Sequence, residues 1–419
     1  MEPPPIRRIE RIQLKPAEQL LLSNSIPVYL LNQGVHDVSM VLVSFAAGKW
    51  MQETKLVARF TNRMLPEGSV SYTSLQIAEK LDYLGATLKT HCGPDRAHIY
   101  LSSLNKHLPE TLPLLAELIR QPVFPEAELE VLLTRSRERL KVDKTRHDYV
   151  ASRRFTSALY GEQHPYGSTH SEEDFDKVTT DLLRQFYNQH YHAGNCYIIA
   201  AGKIADNTLK RIEQLFGDPG WKKPPSIVLQ RVPQPDAERK QHIPMPKSVQ
   251  SALRIGKRLF NKCHPDFMKM QVLNTVLGGY FGSRLMSNIR EDKGFTYGIH
   301  SALLSLLQDG YFYIATEVGY ESTRQASAEI YREIKRLQEE LIPDDELDLV
   351  RNYLSGKILS GLDGPFRQAE YYNGLIPYGL GIDYVQRLMD TIRTVTADEL
   401  RELARNYLDT ETLYEIVAG

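Results

Sequence analysis

The sequence predicts an α+β protein made of two homologous tandem domains, each an antiparallel-rich sheet packed against a layer of helices. An internal repeat, short apolar strand patterns and helical periodicity behind them predict it. Tyr197–Gly202 (YIIAAG) reads like Tyr414–Gly419 (YEIVAG), an offset of 217 residues. Val178–Leu182 (VTTDL) matches Val395–Glu399 (VTADE) at that same offset of 217, and Phe124–Leu129 (FPEAEL) resembles Ile342–Leu347 (IPDDEL) at 218. Three ordered matches at nearly one spacing point to a duplicated unit.

Taken in chain order, Val38–Phe45 (VSMVLVSF) is β-branched and apolar, which predicts a strand. Thr87–Cys92 and Ala97–Leu101 flank Gly93-Pro94-Asp95, a turn signal that predicts a hairpin. Leu112, Leu115 and Ile119 then recur at helical spacing, as do Ile330, Ile334, Leu337 and Leu341 in the second half. Strands followed by clustered helices predict layered α+β packing in each copy. Between the copies lies Asp218-Pro219-Gly220-Trp221-Lys222-Lys223-Pro224-Pro225, with Pro233, Pro235, Pro244 and Pro246 beyond it. Proline removes backbone donors and favours extended chain, so this reads as a stiff linker. The expected division is residues 1–217, a linker over 218–246, and residues 247–419.

Composition narrows the functional classes. The chain has 419 residues, 42% hydrophobic and 25% charged, which is enough apolar material for large cores without a stabilising metal or disulfide. A formal net charge of −1 argues against nucleic acid or an anionic membrane as a standing partner. The three cysteines, Cys92, Cys196 and Cys263, are too few and too widely spaced for a disulfide framework or a CxxC zinc site. Neither an apolar leader nor a membrane span is legible, so a cytoplasmic chain with reduced thiols is expected.

Several segments carry more specific chemistry. Arg63-Met64-Leu65-Pro66-Glu67-Gly68-Ser69 resembles the stretch that closes the His-x-x-Glu-His helix of inverzincins. Leu84-Gly85-Ala86, Leu114–Glu130 with its Pro122-Val123-Phe124-Pro125, and His164-Pro165-Tyr166-Gly167 resemble further segments of those enzymes in the same order. In the second half Gly278-Gly279, Ser283-Arg284-Leu285, Ile289-Arg290-Glu291 and Gly294-Phe295-Thr296-Tyr297 continue the match. The glycines do not form a phosphate loop, because no Gly-Lys-Ser/Thr follows them. On these residues the chain resembles the pitrilysin/insulinase-type (inverzincin, mitochondrial-processing-peptidase-like) metallopeptidases over nearly its whole length.

That register puts Arg59 and Arg63 at the two histidine-ligand positions and Asn62 at the catalytic glutamate. The third ligand of the motif lies about 76 residues further on, which falls on Arg139, with Glu138 the nearest carboxylate. A guanidinium has no lone pair to give and stays protonated, so two of them repel a dication. An amide does not titrate and cannot deprotonate a metal-bound water. No metal is therefore expected in this chain. Glu138 is expected to pair with Arg59 or Arg63 across the vacated space, with solvent-facing side chains as the alternative. His190-x-His192 has no nearby acidic partner, and His91 and Cys92 fall on opposite faces of a strand, so neither pair is expected to bind metal.

Taken alone, Arg290 suits a surface ion pair with Glu291 and Tyr297 a core position. The resemblance implies instead that this pair grips substrate backbone near the scissile bond. A guanidinium offers a fork of donors to carbonyls, and a phenol can stabilise a developing oxyanion. The resemblance further implies that the chain is half of a clamshell, a non-catalytic substrate-binding subunit whose zinc-bearing homologous partner it completes in a heterodimer. It also implies that Ala86–Cys92 is the edge strand along which extended peptide lies. A homodimeric scaffold or peptide-binding chamber is the competing reading, and a self-sufficient peptidase is disfavoured by the arginines.

Overall fold

The computed structural model describes residue 12 and residues 14–221, 223–246 and 248–419. The first eleven residues, in which no leader was legible, and Lys247, the expected start of the second domain, lie outside the described residues.

The first sheet contains β1 (Glu18–Leu21), β2 (Pro27–Asn32), β3 (Val38–Phe45), β4 (Thr87–Cys92), β5 (Ala97–Leu104) and β6 (Cys196–Gly202). The second contains β7 (Lys240–Ile243), β8 (Gln250–Leu259), β9 (Ile299–Ser305), β10 (Gly310–Gly319) and β11 (Tyr414–Ala418). Strand order is β1-β2-β6-β3-β5-β4 in one and β7-β11-β8-β10-β9 in the other. Leaving out β1, the two orders are the same, with one parallel pair (β2 with β6, β7 with β11) at the same place in each. The repeat read from sequence is thus a repeat of topology. β7 lies within the segment expected to be linker.

The first half contributes α1 (Val57–Met64), α2 (Ser74–Tyr83), α3 (Leu108–Arg120), α4 (Glu126–Lys144), α5 (His147–Tyr160), α6 (Glu173–Asp176), α7 (Thr180–His190) and α8 (Asp206–Phe216). The second half adds α9 (Phe267–Asn274), α10 (Thr323–Glu339), α11 (Asp344–Gly361), α12 (Pro365–Asn373), α13 (Asp383–Thr394) and α14 (Ala397–Tyr407). The predicted faces are buried: Leu112, Leu115 and Ile119 on α3, and Ile330, Ile334 and Leu337 on α10. Leu341 is a correction. The helix ends at Glu339, and Leu341 is left 47% exposed beyond it.

Gly202 and Gly419, which end the repeated motif, are there for steric reasons. A Cβ on Gly202 would stand 2.4 Å from the Val38 carbonyl oxygen, at a φ of +120°. One on Gly419 would stand 2.2 Å from Ser251 Oγ, in the strand that corresponds to β3. Only glycine lets the last strand residue approach its neighbour so closely.

The halves exchange helices. α5, from the first, packs on β8 and β11 of the second sheet, while α12 packs on β6 and β2 of the first. Phe155, Leu159 and Tyr160 of α5 share a buried cluster with Tyr414 and Ile416, and Ala369 and Tyr372 of α12 share one with Leu42 and Ile199. Each sheet therefore has its own helices on one face and a donated helix on the other, which removes both apolar faces from water. Asp95 fastens the joint. It accepts hydrogen bonds from the Tyr166 hydroxyl (2.5 Å) and the Leu307 amide (3.1 Å), and Tyr166 Oη accepts from Gln308 N–H (3.1 Å). The His164–Gly167 motif thus helps lock the two halves together.

Candidate functional site

α1 packs against β4 and α7 and carries the three positions of interest. Asn62 is fully buried; its Nδ2 donates to the His98 carbonyl at 3.4 Å, and its Oδ1 has no hydrogen-bond partner among the described residues. Arg63 turns toward α4, donating to Ser136 Oγ at 3.1 Å, with its guanidinium 5.9 Å from the Phe60 ring centroid. Burial, followed by the charge of Arg59, loosens the hold of Arg63 on its proton. Arg59 faces a different way, into a pocket of about 270 Å³ that it lines with Lys49, Lys55, His91, Cys92, Arg153 and His170.

The expected pairing of Glu138 with Arg59 or Arg63 is not what the fold makes. Glu138 Oε1 instead accepts from Lys141 Nζ at 2.8 Å, with the Glu138 side chain 64% exposed. Leu129, Leu132, Ser136 and Leu140 form the buried stripe of α4, so the residue facing Arg63 is Ser136. Glu138 lies two residues off that stripe, roughly 200° around the helix. Arg139 is exposed and bonds to Asp143 one turn on, at 3.1 Å.

Zinc is the metal that the resemblance implies, and this donor set does not fit it. Two guanidinium groups, a buried amide and a serine hydroxyl supply no thiolate, imidazole or carboxylate. Among the described residues no three His, Cys, Asp or Glu side chains form a group that could hold a metal ion. His190 ends α7 with Nδ1 2.9 Å from Ser226 Oγ, while His192 Nε2 lies 3.1 Å from the Gln189 carbonyl. Each imidazole makes one such contact, and His192 Nδ1 is left without a hydrogen-bond partner among the described residues. Burial lowers both histidines, His190 to about 4.

In the second half, the segment between α9 and β9 is clamped from below. Arg284, almost fully buried, makes a two-pronged ion pair with Glu346 of α11, both contacts at 2.8 Å. Asn288 donates to Glu329 at 3.0 Å and Glu333 at 2.7 Å on α10. Two side chains escape this clamp. Arg290 lays its guanidinium 4.6 Å from the centroid of the exposed Phe281 ring and makes no ion pair with Glu291 or any other described residue. Tyr297 is 95% exposed, so it is not a core residue. Thr296 Oγ1 pins the loop just before it, donating to the Glu317 carbonyl at 2.6 Å.

Residues 28–170 match the family described as "Insulinase (Peptidase family M16)", and residues 177–354 match "Peptidase M16 inactive domain". The chain belongs to peptidase family M16. It is an inactive, half-length member of that family. Among curated M16-like relatives, an "Uncharacterized zinc protease YmxG" of Bacillus subtilis is 25% identical over 76% of this chain and 80% of its own. A "Non-peptidase homolog YmxG" of Helicobacter pylori is 22% identical over 93% of this chain and 90% of its own. A crystal structure of a "peptidase M16 inactive domain" from Pseudomonas fluorescens superposes with a TM-score of 0.87 at 24% identity, covering 96% of this chain and 98% of that one. A Helicobacter pylori protease structure gives 0.84 at 15% identity, over 97% of this chain and 100% of that one. These likenesses fix the M16 fold. No helix of the described residues is long and apolar enough to cross a membrane.

Lys49, Lys55, Arg153 and His170, which join Arg59 around one pocket, were not singled out by sequence reasoning. They come from three segments, the stretch leading into α1, α5 and the loop around residue 170, and nothing in their spacing signals that the three meet.

Proposed function

We propose that this M16 chain is the non-catalytic, substrate-binding subunit of a heterodimeric zinc peptidase. It would offer Arg290 and Tyr297 to the active site of a homologous, zinc-bearing partner acting on peptides or unfolded polypeptides. Zinc would sit in that partner, because Arg59 and Arg63 stand at the two histidine-ligand positions here and Asn62 at that of the catalytic glutamate. The observation that carries the reading is the exposure of Tyr297, with Arg290 on the same segment making no ion pair among the described residues, while Arg284 and Asn288 anchor that segment to Glu346, Glu329 and Glu333. Fixed donors that reach solvent are what binding a peptide carbonyl or a developing oxyanion requires. β4 supports the peptide half of the reading: it ends its sheet, pairs only with β5 among the described residues, and leaves one row of backbone donors and acceptors for an added strand. The three free cysteines agree with a reducing, cytoplasmic setting.

The test is to mix the purified chain with a zinc-bearing M16 homologue from the same genome. Co-elution on size exclusion and peptide cleavage by the mixture, abolished by chelator, are expected. Arg290→Ala should lower kcat of the complex about 100-fold and Tyr297→Phe about 10-fold, with assembly unchanged. Cleavage that is indifferent to both substitutions would overturn the assignment. A chain that only self-associates would favour the homodimeric scaffold.

A further inference from the structure

The pocket into which Arg59 points has an electrostatic character that the loss of a metal does not require. It is bounded by the 3-10 turn Lys49–Met51, by α1, by the last two residues of β4, by α5 and by residues 168–170. Four of its lining residues are cations, Lys49, Lys55, Arg59 and Arg153, and none is a carboxylate. Lys55 lies 3.9 Å from Asp174, whose other oxygen is held by Lys177 at 2.9 Å. Lys49, Arg59 and Arg153 make no ion pair with any described residue. Like charges crowded in a half-buried pocket raise the energy of the empty site, and an anion placed among them reverses the sign of that energy. The local chemistry registers the excess: burial first, then Arg153 and Arg59, lowers Lys49, and the same two arginines help hold His170 at about 4.

The place of the pocket suggests what carries the anion. β4 runs from Thr87 to Cys92 along the open edge of its sheet, and His91 and Cys92, at its end, border the pocket. A peptide added to that edge would run straight into the cations. An ammonium terminus would be repelled there and a carboxylate terminus held by the two guanidinium forks. We infer that this pocket is a receptor for the C-terminal carboxylate of an extended peptide lying parallel to β4. The inference rests on the peptide-binding part of the proposed function and is independent of pairing with a zinc-bearing subunit.

The experiment uses the isolated full-length chain and two otherwise identical extended peptides, one a free acid and one C-terminally amidated. Calorimetry should show the acid binding at least about 10-fold more tightly, with inorganic phosphate as a competitor and affinity falling as salt rises. Arg59→Gln and Arg153→Gln should each remove the preference for the acid. Both variants, freed of repulsion, should melt no lower than the parent without ligand, which separates lost binding from lost folding. Equal affinity for acid and amide, or a preference that survives both substitutions, would overturn the inference. In that case assembly with a zinc-bearing homologue would still be decided by the mixing experiment.

Discussion

The two halves repeat one topology yet place different chemistry at equivalent points. In the first, the helix after the leading long strand, α1, carries Arg59 into a pocket ringed by four cations. In the second, the corresponding helix is α9, and the pocket beside it, about 400 Å³, is lined by Gln271, Asn274, Thr275 and Ser301, with Lys357 the one charged side chain. Exposed donors follow the opposite rule, because the second half presents Arg290 and Tyr297. Strand order, glycine placement and helix caps are dictated by packing and so recur in both copies. Pocket charge touches little of the core, so it is free to diverge.

If the copies are equivalent in packing, breaking the same contact in each should cost alike. Gly202→Ala is expected to destabilise by about 3 kcal/mol in urea unfolding, and Gly419→Ala comparably, because each new Cβ meets strand atoms. A much smaller effect at either site would show that the repeat tolerates different packing there.

The charged pocket should make the first half the more acid-sensitive. His170 is held at about 4, below its ordinary value, by burial and by Arg153, Arg59 and Lys49, with Asp174 opposing. A depressed histidine adds stability that is complete above about pH 6.5 and is lost as pH falls toward 4. His170→Gln should therefore remove about 2 kcal/mol of the difference in stability between pH 7 and pH 4. Unchanged pH dependence would place the acid sensitivity elsewhere.

Tyr166→Phe deletes the hydroxyl shared by Asp95 and Gln308 across the joint. A loss of about 1–2 kcal/mol is expected, with calorimetric unfolding beginning to split into two transitions. A single unbroken transition would mean that the exchanged helices α5 and α12 alone couple the halves.

The smallest effect separates the two copies of one motif. Thr396 caps α14 and Glu399 returns the bond to the Thr396 amide, whereas Thr179 caps α7 with Leu182 in the equivalent place. Thr396→Ala should cost about 1 kcal/mol and Thr179→Ala about half that, read from paired melts.

The sequence was most legible where structure is local or repeated. Val38–Phe45 forms a strand with those same bounds, and the hairpin around Gly93-Pro94-Asp95 is present. Leu341 was misplaced because helical spacing continues past a helix that has already ended. Glu138 was misplaced because an uncertain register of one or two residues, on a helix, decides between facing the core and facing solvent. The role of Asp95 was only half visible: the turn shows in the sequence, the joint with Leu307 and Gln308 does not.

The residue order by itself determined the duplicated α+β architecture, since strand pattern, helix caps and obligate glycines act over a few neighbouring residues. It also put the cations Arg59 and Arg63 on α1, and side-chain identity alone says that a guanidinium has no lone pair to donate. Only the tertiary structure decided that Arg59 and Arg63 point to different surroundings, that each half covers the other's sheet with one helix, and that Lys49, Arg59 and Arg153 meet. Those outcomes depend on contacts between segments far apart in the chain, where no short-range preference of the backbone carries the information.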